Sequence, residues 1–409
     1  MSWKNKRILI TGITGFVGSH LGNHLTKAGA QVYGLCRKDS NNRLATTKPE
    51  VTSKIEIIEG DILNPKSLEL AFNESEPEFI FHLAGQSFVP TSVEDPKNTY
   101  LINSIGTLNI LESARIKKLD SRFVFAGTSE EYGMVFASPQ QYRDFQSRFG
   151  NVFPEPKQFP ELPIKESNPL RPMSPYAVAK VSGDYMTRNY AMNWGLHAMV
   201  SRAFNHEGNG RGKMFVTSII AKQVTSIING IGDSIIIGNV NSFRDWSHVS
   251  DIVSGYCIIA KNGRPGEVYS QGSESACSIL TYILTALHKS GMEIYRIESL
   301  QNNKIVDYPM EITKTPIWNC NFNKTKVDDL MLNEGLSFDL SDQGIRVITS
   351  SRTISILFDS SRYRALEVPI LLSDTSRLKQ IGFCPEKTVD YIISEQLNNF
   401  KLPKDRTNL

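Results

Sequence analysis

Within TSEEYG, at residues 128–133, a threonine, a serine, two adjacent carboxylates and a tyrosine follow directly on the apolar run RFVFAG. A run of that composition reads as a buried strand, so these side chains emerge at its carboxyl end. A second reactive pair lies in SPYAVAK, where Tyr176 and Lys180 are separated by one helical turn. A nearby ammonium favours the phenolate and brings the tyrosine pKa toward working pH, which suits the pair to accepting a proton from an oxygen. A third group, Gly12, Gly15 and Gly18 in RILITGITGFVGSHL, falls between a strand and a helix. Glycines there permit a tight turn and close approach of a pyrophosphate, which the helix amino terminus would attract.

The residues after the second strand bear on which dinucleotide this would be. That strand ends YGLCRKDSNNR, so Arg37 and Lys38 precede the first acid, Asp39. An acid at the strand end would hold a ribose 2′-hydroxyl, whereas two cations suit a 2′-phosphate. NADP is therefore expected, with NAD as the alternative. Asp61, in EGDI after the third strand, is expected at the adenine edge, or else in a helix-capping role.

These groups need a scaffold, and the first 200 residues supply its pattern. The runs RILIT, QVYGLC, KIEIIE, EFIFHLA, RFVFAG and LHAMVSR read as buried parallel strands, with helical patterns at 16–29, 65–73, 98–117 and 176–193 between them. Alternation of this kind predicts an α/β, Rossmann-type doubly wound parallel sheet. We expect a dinucleotide-binding domain over 1–203, interrupted by an insertion at 134–170 without strand or helix periodicity. Residues 204–409 should form mainly a smaller mixed α/β lobe for substrate, with about 240–262 returning to the sheet. A helix is expected at 214–229 and a strand in DSIIIGN, and 295–360 reads as irregular.

Composition narrows the function. A net charge of +3 from 45 basic and 42 acidic residues gives no reason to expect nucleic acid or an anionic membrane as partner. No apolar run approaches the length of a membrane span, and the amino terminus reads as the first strand rather than a signal peptide. The five cysteines have neither metal-ligand spacing nor a disulfide framework, so a reducing cytoplasm and no metal are expected. His82, His206 and His248 read as packing or hydrogen-bonding residues.

Taken with the stretches GQSFVPTSVEDP, INSIGTLNILESAR, FNHEGNGRGKMFVT, RDWSHVSDIV and RYRALEVPILLSDTSRLKQIGF, these motifs resemble the extended short-chain dehydrogenase/reductase family. Within it the chain is most similar to the nucleotide-sugar 4,6-dehydratases of the GDP-mannose group. The resemblance implies that Tyr176 is the base on a sugar 4-hydroxyl, tuned by Lys180, with Thr128 orienting the oxygen and Glu130 acting on carbon 5. It places Gly12, Gly15, Phe16, Val17, Gly18, Arg37, Asp61, Ile62, Leu83, Ala84 and Arg202 at the cofactor, together with Tyr176 and Lys180. It places Ser87, Ser129, Asn205, Arg211, Lys222, Arg244, Arg364 and Glu367 at a nucleotide-diphosphate sugar. A homodimer or homotetramer is implied, with the helices at 98–117 and 176–193 paired between subunits.

The acid pair then has a reason to exist. A ketone at carbon 4 acidifies the proton on carbon 5, and a carboxylate can remove it as the 6-hydroxyl leaves. An epimerase or 4-reductase of this fold needs the tyrosine and lysine but no carboxylate beside the threonine, so Glu130 is the discriminating residue. If the segment stays extended, Glu131 should face the other way. The chain departs from the family at Phe88, where a histidine is usual, and in the length of the 134–170 and 296–355 segments. The alternatives are a sibling epimerase, reductase or decarboxylase, or a non-catalytic NADP-binding scaffold.

Overall fold

The computed structural model describes residues 2–38, 54–318, 320, 322–364 and 367–400. Asp39 lies outside the described residues. The described chain divides into two compact units, one of residues 1–204, 249–272 and 373–386 and one of 205–248, 273–372 and 387–409. Relative to the expected boundaries, the first unit also takes in a strand at Val268–Gln271 and residues 373–386, while Phe243–His248 belongs to the second.

Seven strands build the first unit: β1 Arg7–Thr11, β2 Gln31–Cys36, β3 Ile55–Glu59, β4 Phe79–His82, β5 Arg122–Thr128, β6 His197–Ala203 and β7 Val268–Gln271. They pair in the order β7-β6-β5-β4-β1-β2-β3, and every pairing is parallel. This is the doubly wound sheet that the alternating pattern predicts. Successive side chains leave a strand on opposite faces, so Ile8 and Ile10 enter one core with Leu21, Phe81 and Val124. Leu9 enters the other, with Ile80, Phe123 and Phe125. Burial on both faces is why these strands read as nearly unbroken apolar runs.

The reversal of winding falls between β1 and β4, the point where ligands meet the carboxyl ends of such sheets. Helix Phe16–Lys27 leaves β1 there, and helix Pro175–Trp194 packs beside β5 and β6. The helical pattern at 98–117 is not one regular helix. Pro96–Tyr100 runs into a wider π turn, Leu101–Ile105, before Gly106–Ile116 resumes.

The insertion corrects the sequence reading. Residues Pro139–Phe149 form a helix, with Ser138 accepting from the Gln141 N–H at its start and Pro139 at its first position. Its composition is mostly polar and none of its residues is fully buried, so its stripe of Tyr142, Phe145 and Phe149 is a weak signal. Its aromatics do pack: Phe136 meets Tyr142 and Phe145 edge-on, and Tyr142 meets Phe159. The organising contact is buried. Arg171 donates through both terminal nitrogens to Glu161 (2.7 and 2.8 Å) and to the Met134 carbonyl (2.9 Å). Glu161 in turn accepts from the Phe136 N–H (3.1 Å).

In the second unit, Phe243–His248 is flanked by Ala276–Ser278, Ile370–Leu371 and Asn205–Glu207. The region expected to be irregular is instead a sheet. Ile305–Asp307, Ile294–Ser299, Gly344–Thr349 and Thr353–Phe358 pair antiparallel in that order, and Thr353–Phe358 joins Ser234–Ile237 in parallel. Helices Val216–Ile228, Ile279–Lys289 and Val389–Phe400 pack together.

Breaking the buried Arg171–Glu161 pair strands a guanidinium out of water. Glu161→Ala should therefore cost about 3–5 kcal/mol, read as a lower urea midpoint and new proteolytic cuts within 134–170. An unchanged midpoint would show that the insertion is held by other means.

Candidate active site

At the end of β5 the chain does not stay extended. Ser129–Glu131 is a single 3-10 turn, and its cap separates the two carboxylates. Glu131 turns inward and is fully buried, with Oε1 accepting from the Thr128 N–H (2.8 Å) and Oε2 from Arg202 Nε (3.1 Å). Glu130 is half-buried, and among the described residues its carboxylate makes no hydrogen bond or ion pair. The capping side chain of this turn is therefore Glu131, not Glu130. Ser129 is buried, and its carbonyl accepts from the Tyr132 N–H (3.1 Å).

This turn packs against helix Pro175–Trp194. Ser174 caps that helix by accepting from the Ala177 N–H (3.1 Å), which places Tyr176 in the first turn and Lys180 one turn on, both buried. Lys180 Nζ donates to the Ala126 carbonyl (2.8 Å) and lies 4.9 Å from the centre of the Phe125 ring. Burial brings its pKa down to about 8, against an opposing pull from Glu131.

One support was not read from sequence, and a second was. Asn103, buried in the π turn, accepts from the Gln86 N–H (2.8 Å) and donates to the Gln86 carbonyl (2.9 Å). It thereby fixes the loop that carries Ser87 and Phe88. An asparagine in mid-helix, three residues before Gly106, was the available signal, since neither residue favours a helix interior. His82 bridges Thr11 (2.8 Å) and Thr107 (3.0 Å), and burial together with Lys180 lowers its pKa to about 3, so it stays neutral. His82 is thus a hydrogen-bonding residue, as the sequence suggested.

The glycine turn fits a dinucleotide. A Cβ on Gly12 would lie 2.8 Å from the Ala84 nitrogen, and one on Gly18 would lie 2.2 Å from the Gly12 carbonyl oxygen. No side chain caps helix Phe16–Lys27, and its first turn has no acid to compete with a phosphate. Thr11 Oγ1 accepts from the Ala84 N–H (3.1 Å) and the Leu83 N–H donates to the Thr11 carbonyl (3.2 Å), which ties the two strand ends together. Val17 lies in the first turn of the same helix. Ile62 is buried beneath the close approach of Gly106, and Asp61 accepts from the Leu63 N–H (2.9 Å) within a turn. Arg37 and Lys38 are exposed just beyond β2. Arg202, expected at the cofactor, has its guanidinium buried between Glu131 (3.1 Å) and Asp184 (2.9 Å), over the Tyr132 ring.

The second unit holds most of the residues expected at substrate. Arg244 and Glu367 come together as an ion pair (3.5 Å), with Arg244 also donating to the Phe243 and Val368 carbonyls. Arg211 pairs with Glu207 (3.3 Å) and lies over the Phe215 ring. Asn205 has a buried Oδ1 with no partner among the described residues. Lys222 and Arg364 are exposed. No cluster of three or more metal-ligating side chains occurs among the described residues, and no helix there is long and apolar enough to cross a membrane.

Comparison with known proteins gives this geometry a context. The family described as NAD dependent epimerase/dehydratase matches residues 8–272. A GDP-mannose 4,6-dehydratase from Yersinia enterocolitica is 29% identical, over 96% of this chain and 93% of that protein. RMD from Pseudomonas aeruginosa, solved with NADPH, superposes with a TM-score of 0.65 at 22% identity, covering 97% of this chain and 99% of that one. dTDP-glucose 4,6-dehydratase from Bacillus anthracis, solved with NAD, superposes with a TM-score of 0.65 at 19% identity, covering 97% of this chain and 96% of that one.

Proposed function

The chain belongs to the NAD dependent epimerase/dehydratase family, and from that premise we propose that it is a nucleotide-diphospho-hexose 4,6-dehydratase acting on GDP-mannose or a close relative. The observation that carries this reading is the division of labour between Glu130 and Glu131. One carboxylate is consumed by the cap and Arg202, which leaves its neighbour available beside Thr128. An epimerase or 4-reductase has no use for that second acid.

Thr128 orients the sugar 4-oxygen, and Tyr176 takes its proton with Lys180 alongside. A bound nicotinamide supplies the hydride acceptor for carbon 4 and the hydride donor for carbon 6. With carbon 4 a ketone, Glu130 removes the proton from carbon 5 and delivers a proton to the departing 6-hydroxyl, which leaves as water. Gly12, Gly15 and Gly18, with the first turn at Phe16 and Val17, hold the pyrophosphate, and Asp61, Ile62, Leu83 and Ala84 line the rest of that cofactor's path. Arg37 and Lys38 select NADP over NAD. Asn205, Arg211, Lys222, Arg244, Arg364 and Glu367 serve the nucleotide-diphosphate end of the substrate, and Ser87 and Ser129 its hexose. Phe88 makes the hexose side of that loop less polar than a histidine would.

Incubation with GDP-mannose and NADP should give a 4-keto-6-deoxy product, seen by mass as loss of one water. No such product from any nucleotide hexose would overturn the reading. Tyr176→Phe should lower turnover by about 10²–10⁴-fold at the oxidation step. Glu130→Gln should leave oxidation intact and stop water loss, so that reduced nicotinamide accumulates. Near wild-type dehydration by that variant would remove Glu130 from its role.

Arg37→Ala should weaken NADP by about tenfold, some 1.4 kcal/mol, and leave NAD nearly unchanged in a binding titration. Equal weakening of both would dismiss the 2′-phosphate contact.

A second copy of the chain covers the exposed apolar side chains Tyr100, Leu101, Ile105, Val178, Tyr185 and Met192, which lie on two neighbouring helical segments of the first unit. Light scattering should give a dimer or a multiple of it. A monomer at micromolar concentration would count against the pairing.

A further inference from the structure

Two arginines expected at the substrate lie on neighbouring strands of the second unit. Arg244 is within Phe243–His248, and Arg211 follows Asn205–Glu207, which runs parallel to it with Glu207 opposite His248. Beyond Glu207 the chain reads Gly208, Asn209, Gly210, Arg211, Gly212. Gly208 and Gly210 have positive φ (150° and 86°), and the Arg211 N–H reaches the Gly208 carbonyl at a long 3.3 Å. A turn so rich in glycine loses much entropy on ordering and has few side chains with which to hold itself. It is held from outside. Glu395, on helix Val389–Phe400, accepts from the Asn209 N–H (2.7 Å), and the same oxygen lies 3.1 Å from His248 Nε2. Tyr391, one turn earlier on that helix, packs edge-on against the His248 ring. The next residue, Gln396, is buried and donates to Glu207 (3.4 Å) and Thr217 (3.3 Å). Glu207 in turn pairs with Arg211 (3.3 Å).

We propose that Glu395 is a positioning residue for substrate, which sets where Arg211 stands relative to Arg244 by joining the turn after one strand to the end of the other. This rests on reading both arginines at the nucleotide-diphosphate end of the substrate. Two guanidinium groups grip a diphosphate well when they are held in advance at the spacing of its oxygens. Arg244 is held within its own surroundings, donating to the Phe243 and Val368 carbonyls. The Arg211 side chain takes its direction from Glu207 and from the Phe215 ring, 3.5 Å below the guanidinium, but its main chain goes where the glycine turn goes. The Glu395 carboxylate fixes that turn through a short, charge-assisted bond to a main-chain N–H, the strong kind of hydrogen bond. His248, at the end of the strand that carries Arg244, shares the same oxygen. Gln396 does a different job: it is packed in the interior, where Tyr282 donates to its Oε1 (2.7 Å). The Glu395 side chain is 27% exposed, so its truncation opens no core and leaves no buried charge stranded.

The test is a calorimetric titration of the full chain with GDP, UDP, CDP and dTDP. E395A should weaken the nucleoside diphosphate that the wild type binds by about tenfold, raise KM for the corresponding sugar with kcat nearly unchanged, and leave NADP binding as it was. E395Q keeps an acceptor oxygen for the Asn209 N–H and should recover most of that affinity. Nucleoside-diphosphate binding that E395A leaves unchanged, whatever happens to the thermal midpoint, would make Glu395 a structural strut and overturn the proposal. If E395A does not fold, E395D decides, because it withdraws the carboxylate by one methylene. Weaker nucleoside-diphosphate binding by E395D supports the proposal, and wild-type binding overturns it. Wild-type protein that binds none of the four would defeat the functional reading and this proposal with it, whereas wild-type binding that the variants do not alter overturns this proposal alone.

Discussion

Arg202 lies buried between a carboxylate on the turn after β5 and a carboxylate on the helix of Tyr176 and Lys180. The relative placement of those two elements depends on it. Burying three charged groups is expensive, and an apolar replacement of equal volume would often be more stable. An apolar contact tolerates sliding, however, whereas a guanidinium between two carboxylates does not. The cost purchases register between a hydroxyl on one element and an amine on another. The same cluster explains why TSEE carries two acids rather than one: the inner acid holds the turn, and the outer one remains available at its rim.

A similar logic recurs around the dinucleotide turn. Thr11 at the end of β1 and the loop after β4 are joined through His82 and the Ala84 N–H, and that loop is fixed again by Asn103. Each contact is a hydrogen bond between neutral groups in a dry setting, where an unmade bond is costly. The glycine turn is thus braced by neutral groups, and the turn after β5 by charged ones.

How much of this could be read from the chain depended on whether a local pattern carried the information. Strands buried on both faces declare themselves, as RILIT and RFVFAG do, and a tyrosine and lysine one turn apart can be placed once the helix is recognised. The helix Pro139–Phe149 was missed because its aromatic stripe, Tyr142, Phe145 and Phe149, is short, only partly buried and set in an otherwise polar run. The strands between Ile294 and Phe358 alternate with polar residues on a solvated face, which diluted their signal among asparagines and serines. The ion pairs of Arg202 were not legible, because its position at a strand end says nothing of the acids waiting there, 18 and 71 residues away in sequence. Glu130 and Glu131 differ only in which way a single turn rotates, and that is set by tertiary contacts.

The insertion between the two reactive elements leaves and rejoins the unit at adjacent points. Gly133 bridges Arg171, the Met134 N–H donates to the Arg171 carbonyl, and the Arg171 N–H donates to the Tyr132 carbonyl. A segment closed at its neck in this way is a cassette. Its entropy of closure grows only slowly with length, and it reaches beyond its neck at Glu166, whose carbonyl accepts from Arg202 and whose carboxylate accepts from the Ser270 N–H. A change of length before Glu161 would therefore leave this neck in place, whereas one at Glu166 would reach the Arg202 cluster.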